Sequence, residues 1–221
     1  MIISHGRRYI FVHIPKTGGT ALSAALEARA MADDILIGDT PKAVKRRGRV
    51  KGLSAAGRLW KHAQLRDIEG LVAPEAFGDY FVFTLVRNPW DRTVSYYRWL
   101  RAQSWDHPAV RLAKATAFTD FLNAPETLRA LSVPYRAYLS DGRGAERATL
   151  YARLEALEAD LAPLWTHLGF DLSPVEARNR SDREADFRRY YSDRDAETVA
   201  RIAAEDIARF GYAFAPFTPE R

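Results

Sequence analysis

The sequence predicts an α/β fold, in which a central parallel sheet is flanked by helices in three layers. Two short runs, Arg8–Ile14 and Tyr80–Val86, are rich in β-branched and aromatic residues, which is typical of buried strands. Each run ends at a turn that contains proline, and a pattern with helical spacing follows it. Strands that alternate with helices indicate a parallel sheet covered on both faces. The 221 residues contain no internal repeat and no linker, so we expect one domain across residues 1–221.

The first strand leads into a helix and then into a strongly basic stretch. From Thr20 to about Ala30, apolar residues recur on one face, which predicts a helix and makes Pro15–Gly19 a strand-to-helix loop. Asp34–Ile37 is a candidate second strand. Residues 41–58 are crowded with Lys and Arg and hold few large apolar side chains. We expect this stretch to be a mobile surface loop.

The strand Tyr80–Val86 is followed by a well-marked helix start. Asn88 suits the N-cap and Pro89 the first helical position, so a helix is expected to run to about Ala102. Later in the chain we expect a strand at Ala148–Tyr151, a helix along the leucines of residues 154–168 that ends at Gly169, and a last helix from Ser192 to Gly211.

Composition narrows the classes of function. The absence of cysteine excludes disulfides, thiolate metal sites and cysteine nucleophiles, and it fits a cytoplasmic protein. No apolar run is long enough to predict a membrane span. Lys and Arg exceed Asp and Glu by 33 − 28 = 5, a mild basic excess that suits anionic ligands such as nucleotides or sulfated sugars. The sequence shows no cluster of metal ligands, so no metal is expected.

The segment with the sequence PKTGGT has the composition of an anion-binding loop. Its glycine pair allows a tight turn in which consecutive N–H groups face one anion, and the helix that follows adds its positive end. Lys16 adds a full charge. It precedes both glycines, whereas the Walker A lysine follows the last glycine. An ordinary strand-to-helix turn is the alternative. We predict a phosphate loop in a P-loop-like domain, formed by Pro15, Lys16, Thr17, Gly18, Gly19 and Thr20.

A second anion-binding element is expected where the strand Tyr80–Val86 ends. Arg87 lies at the carboxyl end of that strand, where α/β sheets bind ligands, and its guanidinium can grip a phosphate with two hydrogen bonds. Ser95 lies about two turns into the next helix and offers a hydroxyl. The alternative is that Arg87 pairs with a local carboxylate such as Asp91 while Ser95 only packs.

Together the two segments resemble the sulfotransferases that use 3′-phosphoadenosine 5′-phosphosulfate (PAPS). Pro15–Thr20 resembles their 5′-phosphosulfate loop, and Val86–Tyr97 resembles their 3′-phosphate element. The sequences of these two motifs are similar to those of the carbohydrate branch, which includes Golgi-type and heparan 2-O-sulfotransferases and many bacterial relatives. Weaker similarities extend over nearly the whole chain, at residues 61–63, 154–155, 179–181 and 206–214. The short chain without cysteines resembles a bacterial, cytoplasmic member.

The resemblance implies that a sulfuryl group passes in line from PAPS to an acceptor hydroxyl, most naturally on a carbohydrate, without a metal. Lys16 would contact the bridging oxygen and the leaving phosphate. The N–H groups of Thr17–Thr20 would hold the 5′-phosphate, and Arg87 and Ser95 would hold the 3′-phosphate. Asn179 and Ser181 would lie in a loop over the nucleotide, although a solvated connector is an equal alternative.

The acceptor hydroxyl needs a base, and His62 is the candidate. Histidine titrates near neutral pH, and the Lys61-His62 pair matches the position of the family's motif. A surface or structural role is the alternative for His62. His13 is a weaker candidate because it lies within a predicted buried strand, where it is expected to pack or to hydrogen-bond.

Two other classes of function compete with this hypothesis. A nucleotide-dependent kinase of related fold would need Lys and then Ser or Thr after the last glycine, and a Mg²⁺ carboxylate at a strand end, but residues 80–86 contain no carboxylate. A nucleic-acid-binding module would interleave aromatic residues with its basic stretch, but residues 42–58 contain none. We therefore expect no nucleic-acid partner.

Overall fold

The structure is a computed structural model, and it describes residues 1–175 and 186–215. The backbone divides into two compact units, Met1–Val86 with Tyr135–Asn179 and Arg87–Pro134 with Arg180–Arg221. In the described part of the chain, the first unit holds all the strands, and the second is helical. The assignment of residues 1–221 to one domain stays a prediction.

The first unit is built on a mixed five-stranded sheet. Its strands are β1 (Ile2–Ser4), β2 (Tyr9–Val12), β3 (Ile35–Leu36), β4 (Phe81–Val86) and β5 (Leu150–Arg153). The order across the sheet is β3-β1-β2-β4-β5, with β2, β4 and β5 parallel and β1 antiparallel to both neighbours. The expectation of a wholly parallel sheet is therefore wrong at β1. Residues 5–8 form a turn too short for a parallel crossover, so β2 must return antiparallel to β1.

The helices follow in chain order. The α-helices are α1 (Gly19–Ala28), α2 (Pro41–Val50), α3 (Pro89–Arg101), α4 (Pro108–Ala115), α5 (Phe118–Asn123), α6 (Pro125–Leu131), α7 (Tyr135–Tyr138), α8 (Leu157–Asp160), α9 (Ala162–Leu168), α10 (Asp193–Ile202) and α11 (Ala204–Phe210). Short 3-10 helices span Leu65–Ile68, Pro74–Asp79, Leu154–Ala156 and Phe187–Tyr190. None of these described helices combines the length and the apolarity that a bilayer crossing requires.

Both faces of the sheet are buried, as an α/β fold requires. On one face, residues of β2, β4 and β5 pack against Leu22 and Leu26 of α1 and against Leu164 of α9. On the other face, Ile10 and Val82 are fully buried as well. The sheet is therefore covered on both faces, as expected for a sheet flanked by helices.

The basic stretch differs from the expected mobile loop, because residues 41–50 form α2. Pro41 occupies the first helical position, and the Thr40 hydroxyl accepts from the N–H of Ala43 at 3.2 Å as an N-cap. Lys and Arg favour helices, and here Lys42 and Arg46 donate to backbone carbonyls at and beyond the end of α1. Lys42 and Arg46 therefore help to hold α2 against the end of α1.

The leucine-rich segment 154–168 is also more broken than its spacing predicts. It forms a 3-10 turn, then α8, then α9, which ends at Gly169 as expected with a φ of 74°. Pro163 has no N–H to donate and stands in the first turn of α9, where none is needed. A continuous helix would have placed this proline in its interior.

The second unit begins with the predicted helix. Asn88 caps α3 by accepting from the N–H of Trp90 at 3.1 Å, and its amide donates to the carbonyl of Ala213 at 2.9 Å. The Trp90 indole donates to the Ala196 carbonyl at 2.9 Å, and the Tyr191 hydroxyl donates to the Trp90 carbonyl at 2.8 Å. These contacts attach α10 and the chain beyond α11 to the start of α3.

Candidate active site

The backbone that leaves β2 is held by side chains at three successive carbonyls. The oxygens of residues 12–14 each accept one hydrogen bond from a side-chain donor. In chain order, the donors are Thr84 Oγ1 at 2.7 Å, His62 Nδ1 at 2.7 Å and Thr17 Oγ1 at 3.0 Å. Thr84 and Thr17 are fully buried. Side-chain hydrogen bonds therefore hold the backbone at the start of the loop, in place of the backbone hydrogen bonds of a sheet.

The loop after these carbonyls turns through two left-handed residues. Lys16 has a φ of 67°, and Gly18 has a φ of 86°. The left-handed region is uncommon for lysine, and such residues gather at ligand-binding sites. α1 then begins at Gly19 with no side-chain cap and no acidic residue in its first turn. Because the first N–H groups of a helix have no partner within it, this end of α1 is suited to an anion.

The two glycines of the loop are required for different reasons. A Cβ on Gly18 would lie 2.6 Å from Cδ1 of Leu154, which follows β5, and Gly18 also has the positive φ. A Cβ on Gly19 would lie 2.4 Å from Cδ2 of the His13 ring. Leu154 and His13 therefore shape the loop. The contact with Leu154 could not be predicted from the sequence, because it depends on strand order.

His62 is held in the tautomer that a base requires. Its Nδ1 lies 2.7 Å from the carbonyl oxygen of His13, and a carbonyl only accepts, so Nδ1 carries the proton. Burial lowers the pKa of the His62 imidazole to about 4, against an opposing effect of this hydrogen bond. The ring is therefore neutral at neutral pH, with an unprotonated Nε2. Burial also lowers the pKa of His13 well below its ordinary value, so that ring is neutral too.

Trp60 contacts His62, and Asp39 pairs with the adjacent Lys61, although neither Trp60 nor Asp39 was a candidate from the sequence. Trp60 is 44% exposed, and its ring meets His62 edge to face, with centroids 5.2 Å apart. Lys61 pairs with Asp39 at 2.9 Å, which ties the chain before α2 to the residue beside His62. The sequence adjacency of Trp60 was a usable signal, whereas Asp39 lies 22 positions from Lys61 and gave none.

In the second unit, Arg87 forms the local ion pair that was the alternative. Its Nε and Nη2 both donate to Oδ2 of Asp91, at 2.8 and 2.6 Å, and both side chains are largely buried. Ser95 is buried on α3. The pair holds the guanidinium at the start of α3, and a phosphate-binding role for Arg87 and Ser95 stays a prediction.

The structure thus brings the loop Pro15–Thr20, His13 and His62 together in the first unit, while Arg87 and Ser95 belong to the second. Asn179 and Ser181 lie outside the described residues. Across residues 1–175 and 186–215, no three His, Asp or Glu side chains are grouped so that they could hold a metal ion.

Comparison with known families gives one clear result. A model described as the sulfotransferase family matches residues 1–213, which is nearly the entire chain. Searches among curated proteins and among solved structures found no significant match.

Proposed function

Because the chain belongs to the sulfotransferase family, we propose that it transfers a sulfuryl group from PAPS to a carbohydrate hydroxyl by in-line displacement. The observation that carries the proposal is the pairing of two features in one unit. One is a loop with a lysine at an uncapped helix start, and the other is a neutral histidine whose Nδ1 proton is bound to the backbone beside that loop. An anion site next to a base suits transfer of an anionic group to a hydroxyl.

The loop Pro15–Thr20 would bind the 5′-phosphosulfate. The N–H groups of Thr17–Thr20 would hold the 5′-phosphate, with the positive end of α1 behind them. Lys16 would neutralise the charge that develops on the bridging oxygen as the S–O bond breaks. What supports this assignment is the left-handed conformation of Lys16 and Gly18 and the absence of any acidic side chain in the first turn of α1.

His62 would act as the general base. The acceptor oxygen attacks sulfur, its proton passes to Nε2 of His62, and the phosphate of adenosine 3′,5′-bisphosphate leaves with the electrons of the broken S–O bond. The low pKa of His62, about 4, keeps the ring neutral at neutral pH, so that Nε2 is unprotonated and can accept the proton. Positioning and charge stabilisation would supply the rest of the rate enhancement.

Arg87 and Ser95 would bind the 3′-phosphate, which distinguishes PAPS from AMP-like nucleotides. The ion pair with Asp91 holds the Arg87 guanidinium at the start of α3, and a guanidinium is suited to two-point binding of a phosphate. The same proposal extends to Asn179 and Ser181 as nucleotide contacts. It also includes a P-loop-like domain, a bacterial source in the carbohydrate branch and a cytoplasmic location, all on the basis of the sequence motifs and the lack of cysteine.

Two experiments test the function. Isothermal titration should show binding of adenosine 3′,5′-bisphosphate without Mg²⁺ and much weaker binding of AMP. Equal affinity for the two nucleotides contradicts the 3′-phosphate site, and binding of ATP only with Mg²⁺ favours a kinase instead. Transfer of label from PAPS should then be screened over neutral glycans, acidic glycans and small alcohols. Transfer confined to non-carbohydrate hydroxyls contradicts the carbohydrate acceptor.

A further inference from the structure

We propose that His13 is a positioning residue that packs against the start of α1 with its ring and orients His62 with its ring and its carbonyl. The inference rests on the proposed function, because His13 affects catalysis only if the phosphate loop binds the donor and His62 acts as the base. His13 itself touches neither of the reacting groups in this scheme. It lies directly after β2, where the loop begins.

The contact with α1 explains why residue 19 is glycine. Gly19 is the first residue of α1, and its φ lies outside the left-handed region, so alanine is conformationally acceptable there. A Cβ would nevertheless meet the His13 ring at 2.4 Å from Cδ2 and 2.6 Å from Nε2. The glycine is required by the packing of His13 and not by the backbone. Any shift of the ring therefore changes how closely the helix start approaches β2.

The contact with His62 has two parts. The carbonyl of His13 accepts from Nδ1 of His62, and the two rings meet edge to face with centroids 4.9 Å apart. On its other side, the His13 ring stacks on Phe11 at 5.9 Å, and Phe11 in turn stacks on Phe83 at 5.1 Å. His13 is only 3% exposed. Because the ring is enclosed in this way, it cannot move away from a Cβ at residue 19 without also moving His62.

The consequence is that one side chain sets the position of both the anion loop and the base. This packing predicts energetic coupling between residues 13 and 19, because the clash that Gly19→Ala creates with the His13 ring disappears when the ring is removed. Residues in direct contact show such coupling, whereas distant residues are additive.

The test is a double-mutant cycle with Gly19→Ala, His13→Ala and the pair, read out by urea unfolding and by titration with adenosine 3′,5′-bisphosphate. Gly19→Ala alone should weaken bisphosphate binding about tenfold, and in the His13→Ala background it should change binding less than about twofold. Urea midpoints should show the same rescue. Gly48→Ala is the matched control, since a Cβ at Gly48 in α2 meets nothing within 4 Å, and its effect should be equal in both backgrounds.

A second measurement separates positioning from simple support. Ring ¹⁵N shifts of His62 should report one tautomer, with the proton on Nδ1, in both the wild type and His13→Ala, because the backbone carbonyl remains. In contrast, kcat should fall in His13→Ala, because the His13 ring no longer orients His62. Ile10→Val, at a fully buried position in the preceding strand β2, should lower stability and leave the His62 spectrum and kcat unchanged. An unchanged kcat in His13→Ala contradicts the positioning role.

The failures are distinguishable. If Gly19→Ala is harmless, or equally harmful with and without the His13 ring, the inference about His13 is wrong whatever the protein binds. If the unfolding data show the rescue but the wild type binds no bisphosphate, the proposed function is wrong, and the catalytic importance of His13 falls with it.

Discussion

The Nδ1–H group of His62 donates to the carbonyl oxygen of His13 over 2.7 Å. This hydrogen bond joins a residue between α2 and β4 to the backbone at the end of β2, 49 positions away in the sequence. Because a backbone carbonyl cannot be substituted away, the tautomer of His62 is set by the fold and not by a neighbouring side chain. Such second contacts commonly decide which imidazole nitrogen is available for chemistry.

The first prediction concerns pH. A base works when deprotonated, and burial lowers the pKa of His62 from an ordinary 6.5 to about 4, so activity should persist as pH falls through 6.5 and be lost only near 4. Lys61 opposes protonation and Asp39 favours it. The acid limb of kcat/KM for the acceptor measures this value. His62→Asn should lower kcat about a hundredfold or more and remove the limb. A midpoint near 6.5, or a limb that survives in His62→Asn, contradicts the assignment.

The second prediction concerns the shape of the loop. Gly18→Ala adds strain at a φ of 86° and a contact of 2.6 Å with Leu154, so it should destabilise the fold and weaken bisphosphate binding strongly. Gly169→Ala shares the positive φ, at 74°, but its Cβ meets nothing within 4 Å. It should destabilise by about 1 kcal/mol and leave binding intact. Equal binding losses in the two variants would mean that strain alone, and not the Leu154 contact, explains the effect.

The third prediction concerns Arg87. Arg87→Ala should weaken binding of adenosine 3′,5′-bisphosphate by about 2 kcal/mol or more while leaving binding of AMP almost unchanged, because only the first ligand has a 3′-phosphate. Arg87→Lys keeps the charge but loses the two-point geometry, and we expect an intermediate loss. Arg111→Ala removes another arginine of the second unit, paired with Asp106 on the surface, and serves as the control. A similar loss for both ligands in Arg87→Ala argues for a structural role.

The fourth prediction concerns the attachment of α2. The Thr40 hydroxyl donates to Glu27 and accepts from the Ala43 N–H at 3.2 Å, so it serves a buried carboxyl group and caps a helix at once. Thr40→Ala should lower the free energy of unfolding by about 1–3 kcal/mol, because it removes the cap and one partner of Glu27. Thr40→Ser keeps the hydroxyl and should lose much less. Urea denaturation measures both, and equal losses would show that the methyl group matters instead.

Local sequence patterns predicted the elements whose signals are themselves local. The strand Phe81–Val86 and the helix Pro89–Arg101 lie close to their expected positions, because an apolar run, an N-cap asparagine and a proline act within a few residues. The helix at residues 41–50 was missed because its stability depends on contacts with carbonyls around the end of α1. The antiparallel β1 was missed because its three residues, Ile2–Ser4, are too few to show an alternating pattern, and the strand depends on pairing with β2.

The α/β class, the glycine-rich loop before α1 and the family could be predicted from the sequence, since these depend on residue types at short spacing. Three contacts required the folded structure: the ring of His13 explains why residue 19 is glycine, Leu154 limits Gly18, and the carbonyl of His13 sets the tautomer of His62. Each of these contacts joins residues from different elements. They exist because strand order and packing bring distant residues within a few ångströms, which spacing along the chain does not encode.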